Sequence, residues 1–176
     1  MKTEADVTSG PAGAKGEPDW AALERFIETS WPRTANIAVG ELGRGIVGWR
    51  RIHEQARAAA SVAAYQPGAL ARYGPNNMRI SALQNELLRE SLTSMYLVPL
   101  SRESGEAPVL QETLRAYFAT GRNALSAGEA IGVSRRTVAN RVRRAEEVIG
   151  RTLTECGSAL EVALWLEAIE RQGEEA

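Results

Sequence analysis

The spacing of apolar residues predicts helices along most of the chain, and it is clearest between residues 133 and 150. There the apolar positions follow one another at intervals of 4, 3 and 4 residues: Val138, Val142, Ala145 and Ile149. This spacing forms one stripe on a helix that turns about 100° per residue. Arg136, Asn140 and Arg143 fall on the opposite side, and Arg144 flanks them. The pattern therefore predicts an amphipathic helix with a basic outer face.

Two predicted helices precede the basic one. The first ends at Gly121 and has an apolar face of Leu110, Leu114, Tyr117 and Phe118. A short second helix spans residues 124–131, and its small residues Ala127 and Gly128 allow close packing. Gly132 supplies the next turn, and Ser134 is positioned to cap the basic helix. This is the pattern of a helix-turn-helix, whose second helix enters the DNA major groove, although a helical hairpin in another all-α protein shows the same spacing.

The first half of the chain reads as a mixture of helices and short strands. Asp19 is the predicted N-cap of a short helix that ends near residues 31–32, because the residue before a proline disfavours helix. Residues 35–41 read as a buried strand, and a glycine-rich turn leads from it into a long helix over 46–65. Residues 69–74 are a predicted extended piece that ends at a Gly-Pro break.

A further helical stretch leads to the basic region. It covers residues 78–100 and has one predicted apolar side. The residues of that side are Leu83, Leu87, Leu88, Leu92 and Tyr96. Residues 101–108 are polar and contain glycine and proline, so they are a predicted linker.

Charge is distributed unevenly between these regions. The 176 residues carry a net charge of −1, yet residues 108–153 contain eight arginines against four glutamates, a net +4. The remainder therefore carries −5. A basic module attached to an acidic body predicts a polyanionic partner for that module alone.

The composition argues against several other classes of protein. No apolar run approaches the roughly 18 residues of a membrane span. Residues 1–18 lack the apolar segment of a secretory signal and are predicted to be disordered. The single cysteine, Cys156, excludes an intramolecular disulfide and fits a reducing cytoplasm, where we expect it to be buried or idle. The single histidine, His53, has no second ligand at suitable spacing, so no metal site is predicted.

A glycine motif offers nucleotide binding as a competing interpretation. Gly43, Gly45 and Gly48 fit G-x-G-x-x-G between a predicted strand and a predicted helix, which is the dinucleotide-binding fingerprint. That fingerprint also needs an acidic residue about 20 positions later to hold the ribose. Because no Asp or Glu occurs between Gln55 and Gln84, we expect a structural role for these glycines and no cofactor.

The C-terminal region resembles the helix-turn-helix of PucR/CdaR-type bacterial transcription regulators. The positions that match the pattern of that family are Thr113, Leu114, Tyr117, Asn123, Gly132, Val133, Arg135, Thr137, Val138, Arg141 and Arg144. Three positions depart from it: Ser134, Arg136 and Asn140 replace the usual His, Asn and Tyr. These departures fall mostly where bases are read, so the resemblance implies the scaffold and not the operator preference of the family.

The region upstream is similar to the second half of the GGDEF-like domain that precedes the helix-turn-helix in PucR/CdaR proteins. The similarity covers a strand, a glycine loop and an alanine-rich helix within residues 36–74. The GGDEF signature itself is absent, and no metal-binding carboxylates for phosphoryl transfer are recognisable. The resemblance therefore implies a non-catalytic domain.

Taken together, the chain is predicted to be mainly α, with a C-terminal helix-turn-helix bundle preceded by a small α/β half-domain that is partly GGDEF-like. The predicted regions are a disordered tail (1–18), the partial GGDEF-like region (19–75), a connecting helix and linker (76–103) and the DNA-binding domain (104–172). We expect a non-enzymatic, cytoplasmic regulator that binds double-stranded DNA and responds to an unidentified effector or sensor partner. Half a GGDEF-like fold leaves a strand edge unpaired, which favours a homodimer.

Eight residues are the expected DNA contacts: Ser134, Arg135, Arg136, Thr137, Asn140, Arg141, Arg143 and Arg144. The three on the outer face (Arg136, Asn140 and Arg143) are expected to reach base edges. Phosphate contacts are expected from Ser134, Thr137, Arg141 and Arg144. In the alternative interpretation, the first half is a protein-interaction or dimerisation module and the helix-turn-helix is a general DNA anchor.

Overall fold

Helices dominate both of the units into which the chain divides. The computed structural model describes residues 12–13, 17–32, 36–65, 70–102 and 105–174. The first unit extends to Ile80, and the second begins at Ser81. The predicted mainly α class is confirmed. Most of the predicted disordered tail, residues 1–18, lies outside the described residues.

Three short elements open the first unit. Strands β1 (Ala12–Gly13) and β2 (Glu17–Pro18) pair in antiparallel fashion. Helix α1 (Trp20–Ser30) begins after Asp19, whose carboxylate accepts a hydrogen bond from the backbone N–H of Ala22 at 2.9 Å. The predicted cap and the predicted end of this helix are therefore confirmed.

A β-α-β crossover follows helix α1 in the first unit. Strands β3 (Ile37–Val39) and β4 (Leu70–Arg72) pair in parallel, and helix α2 (Gly45–Ala63) connects them and packs along both. The strand predicted between residues 35 and 41 exists, but the prediction that it is buried is wrong, because β3 is only half-buried. Its sole partner among the described residues is β4, so this small sheet leaves part of each strand exposed.

The glycine motif packs the loop before α2 against the first turn of that helix. A Cβ atom on Gly48 would lie 2.6 Å from the carbonyl carbon of Gly43, and one on Gly43 would lie 2.8 Å from the Cα of Gly48. Gly45 has a φ of +66°, which favours glycine. These glycines therefore bring two stretches of backbone together, which is the structural role expected for them.

Helix α3 (Tyr73–Gln84) follows β4 directly. The predicted Gly-Pro break is wrong, because Gly74 and Pro75 lie in the first turn of this helix. A proline is tolerated there because the N–H that it lacks would have no partner within the helix. The backbone N–H of Gly74 instead donates to the Glu41 carboxylate at 2.8 Å.

The predicted long helix before the linker is divided into segments. Helix α4 (Glu86–Leu92) follows its N-cap, Asn85, and a π-helical segment (Thr93–Leu97) and helix α5 (Val98–Ser101) continue it. The predicted apolar side is correct for Leu83, Leu92 and Tyr96, which are buried or half-buried. It is wrong for Leu87 and Leu88, which are 73% and 37% exposed. Within α4, Leu87 lies about 140° around the helix axis from the buried Leu92, so the two cannot share one side, and Leu88 is in the first turn of α4.

Four helices complete the second unit: α6 (Ala107–Ala119), α7 (Ala124–Ile131), α8 (Arg135–Ile149) and α9 (Leu153–Glu174). Their core includes the fully buried Leu114, Ala145 and Leu160. Cys156 is buried in this core as expected, and burial raises the pKa of its thiol. No helix in the described part of the chain is long and apolar enough to cross a membrane.

A charged contact fastens α9 to α6. An Nη atom of Arg115 on α6 lies 2.6 Å from a carboxylate oxygen of Glu167 on α9. The same carboxylate binds Arg171, which is one turn further along α9, at 3.2 Å. Burial lowers the pKa of Arg115, and the charge of Glu167 opposes that shift. The two arginines therefore share one partner, but Arg115 is the more buried.

This difference yields a stability prediction. Arg115→Met is expected to lower the free energy of unfolding by about 1–3 kcal/mol, because Glu167 loses its close partner in a partly desolvated site. Arg171→Met removes an exposed pair one turn apart, which typically contributes roughly 0.3–0.5 kcal/mol. Urea unfolding of the full chain, followed by circular dichroism, measures both variants. Equal losses would contradict the unequal roles of the two arginines.

Candidate nucleic-acid interface

Local backbone signals set the turn between α6 and α7. Gly121 and Arg122 both adopt left-handed backbone conformations, with φ of 65° and 64°, and they end α6. Asn123 then caps α7, because its side-chain oxygen accepts hydrogen bonds from the backbone N–H groups of Leu125 and Ser126. The predicted end of the first helix and the predicted extent of the second are both confirmed.

The turn between α7 and α8 depends on two glycines that have different roles. Gly132 ends α7 with a φ of +70°. Gly128 allows the turn to fold back, because a Cβ atom there would lie 2.6 Å from the carbonyl oxygen of Val133. The backbone N–H of Val133 donates to the carbonyl oxygen of Gly128 at 2.8 Å. The predicted close approach at Gly128 is therefore confirmed, and it joins α7 to the start of α8.

Ser134 caps α8 as predicted. Its Oγ accepts a hydrogen bond from the backbone N–H of Thr137 at 3.0 Å. The hydroxyl groups of Ser134 and Thr137 are also 2.8 Å apart and share a hydrogen bond. Ser134 is exposed and Thr137 is half-buried, so both lie at the accessible start of α8.

The two sides of α8 differ in burial as the sequence predicts. The stripe consists of Val138 and Ala145, which are fully buried, and Val142 and Ile149, which are half-buried. The exposed residues include Arg135, Arg136, Asn140 and Arg143. From residue 135 to residue 145 the helix contains five arginines and no acidic residue, so this surface is strongly positive.

Arg141 differs from its neighbours because it contacts the body of the domain. It is half-buried, and its Nη1 donates to the hydroxyl oxygen of Thr113 on α6 at 3.2 Å. Thr113 is fully buried, and its hydroxyl donates to the carbonyl oxygen of Val109 at 2.7 Å. The three groups form a hydrogen-bonded chain that joins α8 to α6.

Arg144 is bound to two carboxylates. It lies 3.6 Å from Glu106, which directly precedes α6, and 3.6 Å from Glu147 on α8. Its side chain remains 44% exposed. A cavity of about 380 Å³ lies beside these groups, lined by Gly105, Glu106, Val109, Leu110, Asn140, Arg141 and Arg144. Sequence reasoning missed Glu106, because a glutamate in a predicted linker gives no sign of the arginine that it will meet.

The order α6, α7, α8, with a tight glycine turn and a basic outer face, is the geometry of a DNA-binding helix-turn-helix. Residues 110–168 match the model of the PucR C-terminal helix-turn-helix domain. The helix-turn-helix of this chain is therefore similar to that of PucR-type regulators, as the resemblance implied for this region. The match begins within α6 and ends within α9, so the GGDEF-like resemblance upstream lies outside it and stays a prediction. Comparison with curated proteins and with solved structures gives no match.

The two turn glycines generate a prediction for the PucR-type domain. Gly128→Ala is expected to weaken DNA binding as well as stability, because the added Cβ pushes the backbone of Val133 and displaces α8. A Cβ atom on residue 132 would lie in open space. Gly132→Ala is therefore expected to lower the free energy of unfolding only by the strain of an alanine in the left-handed conformation, about 1–2 kcal/mol. Urea unfolding and fluorescence anisotropy with duplex DNA measure the two effects. If Gly128→Ala bound DNA as well as Gly132→Ala at matched folded fractions, the contact at Val133 would not position α8.

Proposed function

We propose that this protein is a sequence-specific, DNA-binding transcription regulator whose helix α8 lies in the major groove. The observation that carries the proposal is the exposed face of Arg136, Asn140 and Arg143, which lies opposite the buried stripe of α8 within a PucR-type domain. Arginine pairs naturally with the O6 and N7 acceptors of guanine, and asparagine with the N6 and N7 edge of adenine. The site thus combines side chains that discriminate bases with a scaffold that presents them.

The remaining residues of the site are proposed to fix the orientation of α8 on the duplex. Ser134, Arg135 and Thr137 are at the start of α8, where hydroxyl groups and backbone amides meet phosphate in many complexes. Arg144 is proposed to contact phosphate from the flank of the outer face, where it must exchange its bond to Glu106 for one to DNA. Such contacts strengthen binding to every sequence alike.

Arg141 is proposed to hold α8 against α6 through Thr113 while part of its guanidinium remains available to phosphate. Its half-burial and its hydrogen bond to a fully buried hydroxyl support this role. A guanidinium carries five N–H donors, so one bond to Thr113 leaves others to spare.

We further infer that the protein acts as a homodimer on a pseudo-palindromic operator, with control by an unidentified effector or sensor partner. Helix-turn-helix dimers bind two half-sites about one helical turn apart, which fixes their register. Binding to chromosomal DNA, as proposed, supports a cytoplasmic location. The alternative is a protein-interaction module with a general DNA anchor. Competition with random duplex at physiological salt separates the two, because a regulator should prefer its own site by at least ~10³.

Truncation of Arg136 and truncation of Arg144 are expected to weaken DNA binding in different ways. Arg136→Ala should cost about 1–3 kcal/mol on the preferred site and relax the choice of base at one position. Arg144→Ala should weaken binding to all duplexes alike and reduce the salt dependence by about one phosphate contact. Fluorescence anisotropy on specific and random duplexes at several salt concentrations measures both. If Arg136→Ala weakened the two duplexes equally, Arg136 would contact phosphate and the proposed reading face would be wrong.

Thr113 and Arg141 are expected to be coupled, because they share a hydrogen bond. Thr113→Val keeps the shape of the side chain and removes the hydroxyl, and Arg141→Met removes the guanidinium. If Thr113 affected DNA binding only through Arg141, the double variant would bind DNA no more weakly than Arg141→Met alone. The proposed additional phosphate contact predicts that only the variants lacking Arg141 show a shallower salt dependence. Strictly additive losses with unchanged salt dependence would contradict both roles.

A further inference from the structure

A carboxylate lies beside the positive surface of α8 and reaches it from another part of the chain. Residues 135–145 contain five arginines and no acidic residue. Glu106 precedes α6, and its Oε2 lies 3.6 Å from Nε of Arg144. Its side chain is 63% exposed. A negative charge at the rim of a site proposed for a polyanion opposes binding, because like charges repel.

Arg144 does not need Glu106 to hold its orientation, because a second carboxylate contacts it from its own helix. Oε2 of Glu147, three residues further along α8, lies 3.6 Å from Nη1 of Arg144. The contact with Glu147 remains within α8, whereas the contact with Glu106 joins α8 to the segment before α6. A separation of 3.6 Å exceeds the roughly 2.7–2.9 Å of a strong charged hydrogen bond, so a phosphate can replace Glu106.

The cavity beside this ion pair leaves room for Glu106 to move away from Arg144. Both side chains line it, together with Asn140 and Arg141, and its volume is about 380 Å³. Gly105 also lines it and has a φ of +90°, a conformation that favours glycine. The Glu106 carboxylate therefore borders open space and not the core, and it can separate from Arg144 without disturbing buried contacts.

The segment that carries Glu106 follows a helix that also contacts α8. Helix α5 packs against both α6 and α8. Leu100 on α5 is fully buried in the core that contains Ala145 of α8. A shift of α5 relative to α8 therefore changes the separation of Glu106 and Arg144, so the strength of this ion pair depends on the position of α5.

We propose that Glu106 is an autoinhibitory residue, whose carboxylate competes with a phosphate of DNA for Arg144. In the free protein, the ion pair stabilises Arg144 in its unbound position. In the complex, Arg144 contacts phosphate instead, and the carboxylate remains close to the negative backbone of the duplex. Both effects weaken binding to every sequence alike, because neither involves a base. This inference rests on the proposed DNA-binding function and adds a point of control to it.

Glu106→Gln in the full chain tests the competition, because it keeps the size of the side chain and removes its charge. It is expected to lower the Kd for specific and random duplexes by about 3–10-fold, since the exposed ion pair and the repulsion from phosphate are both lost. Glu112→Gln makes the same change in net charge beside Arg115, which faces α9. This control is expected to change the Kd by less than about 2-fold, because salt screens distant exposed charges. Fluorescence anisotropy measures both variants. Unchanged or weaker binding by Glu106→Gln, or an equal gain in Glu112→Gln, would overturn the proposal.

The same substitution in an Arg144→Met background identifies the partner of Glu106. Without Arg144 there is no ion pair to exchange, so Glu106→Gln is expected to give a smaller gain in affinity, from reduced repulsion alone. Circular dichroism establishes that the variants are folded. An equal gain in both backgrounds would reject competition for Arg144. If neither the folded wild-type chain nor Glu106→Gln bound any duplex, the DNA-binding proposal itself would fail, whereas wild-type binding without a gain in Glu106→Gln rejects autoinhibition alone.

Discussion

The approach of two backbones at Gly128 and Val133 is the constraint on which the candidate site depends. Because no side chain separates α7 from the start of α8, the turn closes tightly and Ser134 comes into position to cap α8. That entry point fixes the rotation of α8 about its own axis. With the rotation fixed, Val138 faces the interior and the arginines face outward. The chemistry of the outer face is therefore decided by a position that never touches DNA in the proposed complex.

The arginines of α8 have identical side chains but different surroundings, so they differ in the interactions that they already make. Arg136 and Arg143 extend from an exposed face, Arg141 is drawn to a buried hydroxyl on α6, and Arg144 lies between two carboxylates. An arginine that already has a protein partner must give up that bond, or share it, before it meets phosphate. For an exposed arginine, the main cost of binding is the entropy lost when its long side chain becomes ordered. The number of positive charges alone therefore does not give the free energy of DNA binding, because each arginine gives up different interactions when it binds.

The helix-turn-helix was predictable from sequence because its signals are local. Asn123, Gly132 and Ser134 each act on backbone groups within four residues, so their positions define where α7 and α8 begin and end. Other features depend on distant partners. The bond between Arg141 and Thr113 joins residues 28 positions apart, and no periodic pattern encodes it. The exposure of Leu87 depends on the phase of α4, in which Leu87 lies about 140° from the buried Leu92, and no sequence pattern marked the helix break at Asn85.

The burial of Cys156 has a consequence for how the protein meets oxidants. A thiol reacts with peroxides and disulfides through its thiolate, and burial raises the pKa of this group while limiting access to it. Cys156 is the sole cysteine of the chain and lies in the core beneath α8, not on its outer face. Direct oxidation of this thiol is therefore disfavoured, and the face proposed to read bases contains no thiol.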